Sequence, residues 1–206
     1  MRRYETLLWI VVIPLALGFL VRCASIPELQ VLYKMPQSTF RLKGKEVRLE
    51  IYDLRPSKKL FTPAARREFG VFTGNLSYSF ARYNEKGFKI GVFSLQEVLE
   101  KSFRKRLEAD GLKVVSDKDS GLPKLVVVIE KLHLDYASRR WIAEMAYEVK
   151  ITKGGRVLAS QHLSGKVERI KLLGRKGADA VISELLTDMV NRLDVAKLFA
   201  QAHLLP

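Results

Sequence analysis

The sequence predicts an α+β fold, a two-layer sandwich in which a mostly antiparallel sheet with a three-stranded meander is covered by two main helices. Strand-like apolar runs occupy residues 46–53, 124–134, 139–152 and 156–169. Two other segments, near 94–111 and 176–193, place apolar residues every three or four positions, as amphipathic helices do. The last three strand runs follow one another directly, so they pair as neighbours.

"EVRLEIYD" alternates strictly, with Val47, Leu49 and Ile51 on one face and Arg48 and Glu50 on the other. Residues 54–87 have no clean period and mix Pro56, Pro63, Gly70 and Gly74 with many aromatics, which predicts a long insertion with a short extra strand near 78–83. "SLQE" opens the first helix: Ser94 and Glu97 form a capping box, and Leu95, Val98, Leu99, Phe103 and Leu107 form a core face ending near Gly111. "LKVV" reads as a short strand. The meander then runs through "KLVVVIEKLHL" and "RRWIAEMAYEVKIT" to residues 156–169, the last two joined by "KGGR", a two-glycine hairpin turn. The second main helix buries Ala178, Val181, Ile182, Leu185, Met189 and Leu193, and a short helix follows at 194–201.

Composition supports one packed domain, with 48% hydrophobic residues in a chain of 206. Lys and Arg number 36 against 22 acidic residues, a net charge of +14. Such a surplus serves solubility or draws anionic partners such as phospholipid head groups, lipopolysaccharide phosphates or nucleic acid. Cys23 is the single cysteine, which excludes an intrachain disulfide and a thiolate metal cluster.

Residues 1–22 follow the plan of an export signal. Arg2 and Arg3 precede an uncharged run of 15 residues, Leu7 to Val21, interrupted by Pro14 and Gly18. A spanning helix needs about 20 apolar residues. The sequence Leu20-Val21-Arg22-Cys23 resembles the bacterial lipobox, with Arg22 departing from the small residue usual before the lipidated cysteine. That resemblance implies acyl chains such as palmitate on Cys23, a lipid-anchored linker over 23–45 and a domain over 46–206. Two alternatives stay open: cleavage after Ser25 by a general signal peptidase, or an uncleaved single-pass tether. All three place the folded part outside the cytoplasm. Ala24 and Ser25 lack the Asp that retains enterobacterial lipoproteins in the inner membrane, which favours a periplasm-facing outer-membrane location.

The stretches "LQEVLEKSFRKRLEADGLKVV", "LVVVIEKLHLDY", "YEVKITKGGRVLASQHLSGKVE" and "ADAVISELLTDMVNRL" resemble the YajG family of bacterial lipoproteins. The same element order also resembles auxiliary lipoproteins of ABC-type transporters that move lipids between envelope membranes. The resemblance implies an envelope lipoprotein without a catalytic signature.

Catalytic and cofactor motifs are missing from the sequence. His133 and His162 lie on neighbouring expected strands with no Cys or spaced carboxylate to complete a metal site. Neither a G-x-S-x-G elbow nor a phosphate-binding glycine loop occurs. No enzyme activity, cofactor or metal is expected. Lys101, Arg104, Lys105 and Arg106 form a cationic helix face suited to anionic lipid, or simply a solvated surface. Export argues against a nucleic-acid partner. The expected function is therefore a lipid-anchored envelope module that binds an envelope or transporter protein. The alternative is a periplasmic carrier sheltering an acyl chain between sheet and helices. A carrier should contain an apolar cavity, whereas a docking module should have a filled core and an exposed apolar patch.

Overall fold

The computed structural model describes residues 28–116, 121–171 and 176–205. The export segment 1–22 and Cys23 lie outside these described residues. The fold is α+β, with eight strands in two sheets. The large sheet contains β2 (Glu46–Asp53), β5 (Lys113–Val115), β6 (Lys124–Ala137), β7 (Arg140–Lys153) and β8 (Arg156–Ile170), in the order β5-β2-β6-β7-β8. The small sheet has the order β1-β3-β4, formed by β1 (Leu29–Lys34), β3 (Asn75–Ala81) and β4 (Phe88–Ser94). Four helices complete the described chain: α1 (Pro63–Phe69), α2 (Leu95–Ala109), α3 (Lys176–Asn191) and α4 (Val195–Gln201).

The meander forms as its pattern predicts. β6, β7 and β8 pair antiparallel over almost their whole length. Gly154 and Gly155 take φ of 58° and 76° in the connecting turn, the left-handed conformations a two-residue hairpin needs. On β7, Trp141, Ala143, Met145, Tyr147, Val149 and Ile151 all face the core. Val157 is the exception to the pattern expected for β8. A register shift between Ile151 and Thr152 precedes the hairpin, and Val157 is exposed while Ala159 and Leu163 are buried.

Both main helices pack on the core face of the large sheet. The Ser94–Glu97 capping box is present, and Val98, Leu99, Phe103 and Leu107 are buried. Phe103 meets Tyr147 edge-on with ring centroids 5.3 Å apart. On its other side α2 meets the small sheet, where Ser102 Oγ and Tyr78 Oη lie 3.1 Å apart. Every residue of the expected α3 core face is buried.

Two boundaries differ from expectation. The stretch 23–45 was expected to be a linker, yet β1 lies within it, with Leu29, Val31 and Tyr33 fully buried and Leu42 beside them. Pro27 and Pro36 gave the stretch the look of a linker, but the alternation in "LQVLYK" between them is a strand pattern. Residues 54–87 were expected to be a surface insertion, yet they supply α1 and β3, the central strand of the small sheet. Phe61, Phe69 and Phe72 stack together, and Phe69 continues the stack to Trp141 at 6.5 Å. A single sheet was expected; the second arises because these two segments pair with each other, in parallel, rather than with the meander.

Candidate functional site

Cys23, the expected lipid attachment residue, lies outside the described residues, which begin at Glu28. No helix among the described residues is long and apolar enough to cross a membrane.

The cationic face expected on α2 is dismantled by its own contacts. Arg106 is 6% exposed; its Nη2 donates to the Leu193 carbonyl at 2.9 Å and its Nη1 lies 2.7 Å from Asp110 Oδ2. It is a core residue, which corrects its placement on the exposed cationic face. Helical periodicity turns it inward with Ser102 and Phe103. Lys105 pairs with Glu108 at 2.7 Å, and Arg104 with Glu100 at 3.4 Å. Lys101 Nζ lies 4.4 Å from the centre of the Phe93 ring.

His133 and His162 do not meet. His133 Nε2 faces Glu144 at 3.8 Å and His162 Nε2 faces Glu130 at 2.9 Å. Among the described residues no three His, Cys, Asp or Glu side chains converge as metal ligands. The buried phenols have structural partners. Tyr147 donates to the Met189 carbonyl at 2.7 Å and Tyr33 to Asn191 at 2.8 Å. Burial raises both hydroxyls far above the usual phenol range and pushes Tyr78 up to about 12.

Where the helices meet both sheets, among Val31, Leu99, Met145 and Leu186, a cavity of only about 10 Å³ remains. Ligand sites typically measure about 300–1,000 Å³. The larger hollows lie at the surface. One of about 530 Å³ lies beside the 58–61 segment, and one of about 470 Å³ shares Lys59 and Phe61 with it. An open groove of about 1230 Å³ follows β1, α3 and β8.

The sheet edges differ in character. β8 carries Lys166, Glu168 and Arg169, charges that discourage strand addition. β1 is sealed by α3: the amides of Gln30, Leu32 and Lys34 donate to the side chains of Asp179, Ser183 and Thr187 at 2.8, 2.9 and 3.2 Å. Among the described residues, no strand pairs with the outer side of β4. Its Phe88, Ile90 and Val92 are 53%, 44% and 43% exposed, with Tyr83 exposed just before them. This open apolar edge was not expected from the sequence: a β-bulge at Ile90 puts Phe88 beside Phe80 and Val92 beside Ser77 on the opposite face, so no regular two-residue alternation marks it.

No family model matches the sequence, and no curated protein is significantly similar to it. Among solved structures, a Xanthomonas campestris protein described by the family model DUF330 is similar, with a TM-score of 0.55 at 16% identity over 84% of this chain and 97% of that one. A minor lipoprotein from Acinetobacter baumannii has a TM-score of 0.38 at 12% identity, covering 79% of this chain and 96% of its own. The rare lipoprotein B from Shewanella oneidensis has 0.39 at 12%, covering 76% and 98%. The likeness to the Xanthomonas protein shows a shared fold.

Proposed function

We propose that this chain is a non-enzymatic, lipid-anchored cell-envelope protein of YajG-like or transport-accessory type, which docks a second envelope protein along the open edge of β4. Cys23 would fix it to the periplasmic face of the outer membrane. The anchor rests on the export-signal plan of residues 1–23 and their lipobox resemblance. The docking role is carried by one observation: among the described residues the outer edge of β4 is unpaired and carries the exposed Phe88, Ile90 and Val92, while the cavity between helices and sheets measures only about 10 Å³. A strand supplied by the partner would satisfy the backbone groups of β4 while its side chains cover these apolar residues. The small size of that cavity speaks against the carrier alternative.

The test is a photo-crosslinking residue placed at Ile90, compared with one at Glu148 on the solvent face of the large sheet. In cells, a discrete adduct with one envelope or transporter protein is expected from position 90 alone. Equal adducts from both positions, or none from position 90, would overturn the docking assignment.

A further inference from the structure

The hollow of about 530 Å³ beside the 58–61 segment has a chemical character that partner docking at β4 does not use. Lys58, Lys59 and Arg66 line it and no carboxylate among the described residues does, while Phe61, Phe72 and Leu95 supply apolar wall. These groups are held in place by their surroundings. Arg55, buried, donates to the Leu132 carbonyl at 2.7 Å and to the Lys58 carbonyl at 3.2 Å, which pins the segment to β6. Phe61 and Phe72 stack with centroids 4.8 Å apart. Arg66 donates to the Phe72 carbonyl at 2.9 Å, and its guanidinium carbon lies 5.8 Å from the centre of the Phe72 ring. Lys58 is steadied by Asp53 at 3.3 Å. Lys59 has no carboxylate partner among the described residues.

Position adds a second argument. Leu29, at the start of β1, pairs with Leu76, and Asn75 pairs with Ser94. Gly74 and Leu95, the adjoining residues, line the hollow. The chain arriving from Cys23 therefore enters the domain at the same end of the small sheet. Glu28 lies five positions after Cys23, and such a segment reaches at most about 18 Å. With the anchor proposed at Cys23, the hollow would be held close to the leaflet that carries it.

We infer that this hollow binds the phosphodiester head group of an anionic glycerophospholipid of that leaflet, with Lys58, Lys59 and Arg66 on the phosphate and the aromatic wall against the glycerol and the first acyl carbons. Lys59 and Arg66, with no carboxylate partner among the described residues, select phosphate oxygens, and Lys58, already paired with Asp53, adds positive charge beside them. The apolar wall favours a lipid over a bare anion. The inference rests on the lipid-anchor reading for its membrane source, while the chemistry of the site does not depend on lipidation.

The test is calorimetric titration of the full chain in neutral detergent with dihexanoylphosphatidylglycerol, with its deacylated head group glycerophosphoglycerol, and with inorganic phosphate. The short-chain lipid is expected to bind more tightly than the other two, and added salt to weaken it. Lys59→Ala combined with Arg66→Ala is expected to weaken it by about tenfold or more. Lys153→Ala with Arg156→Ala, which removes equal charge at the far hairpin, should leave binding unchanged. Equal weakening by both pairs, or none by the first, overturns the site. Inorganic phosphate binding as tightly as the lipid overturns the lipid source and leaves a free-phosphate site. A Cys23→Ser chain should bind the lipid as well as the parent chain. Failure of the anchor would thus be told apart from failure of the hollow.

Discussion

Ser183 Oγ accepts the Leu32 amide at 2.9 Å, across 151 residues of sequence. It is one rung of a ladder. Asp179, Ser183 and Thr187, four residues apart on α3, meet the amides of Gln30, Leu32 and Lys34, two residues apart on β1. Four helical residues advance about 6 Å and two strand residues about 6.7 Å, so the two repeats stay in step. A helix thus closes one edge of the small sheet and leaves β4 as its open edge.

Replacing Ser183 and Thr187 by Ala together removes two acceptors from the β1 amides. The expected cost is about 1–3 kcal/mol in urea unfolding, with selective loss of hydrogen-exchange protection at Leu32 and Lys34. Unchanged protection at those amides would show that the ladder does not hold the strand.

Arg106 and Lys105 are neighbours with opposite roles. Arg106→Ala strands the buried Asp110 carboxylate and is expected to cost about 3–5 kcal/mol. Lys105→Ala breaks an exposed pair with Glu108 and should stay within about 1 kcal/mol. Denaturant midpoints of the two variants check this, and similar values would contradict the burial of Arg106.

Gly165 lies where α3 crosses β8. A Cβ there would stand 2.4 Å from Met189 Sδ. Gly165→Ala is expected to destabilise by about 1–3 kcal/mol. Combined with Met189→Ala, the loss should fall short of the sum of the two single losses, because the crowding partner is gone. Additive losses would place the defect elsewhere.

The Arg55 guanidinium beside Asp53 holds that carboxyl at about 2, below its ordinary 3.8. A depressed value in the folded state stabilises the fold above about pH 4 and loses that contribution as pH falls toward about 2. Solvent screening at a partly exposed carboxylate limits the contribution to roughly 1–2 kcal/mol. Asp53→Asn should therefore show a shallower loss of stability between pH 4 and 2 than the parent. Equal slopes would remove Asp53 from the acid response.

Intact mass of protein purified from membranes checks the anchor. A diacyl or triacyl adduct beginning at Cys23 is expected, and Cys23→Ser should abolish it. A mass beginning at Met1 would make the segment an uncleaved tether, and one beginning at Ile26 would show cleavage after Ser25.

Local pattern by itself determined the α+β class, the meander with its Gly154–Gly155 turn, and both main helices with their core faces. Each of these depends on periodicity and capping between residues close in sequence, such as Ser94 and Glu97. Tertiary structure alone decided that β1 is a core strand rather than part of a linker, that β3 sits centrally in a second sheet, and that Arg106 is internal. It also gathered Lys58, Lys59 and Arg66 around one hollow. The physical reason is range. β1 is stabilised by β3 and by α3, and Arg106 by the carbonyl of Leu193 at a separation of 87 residues. Local spacing carries no information about such partners, because they meet only when the chain has folded.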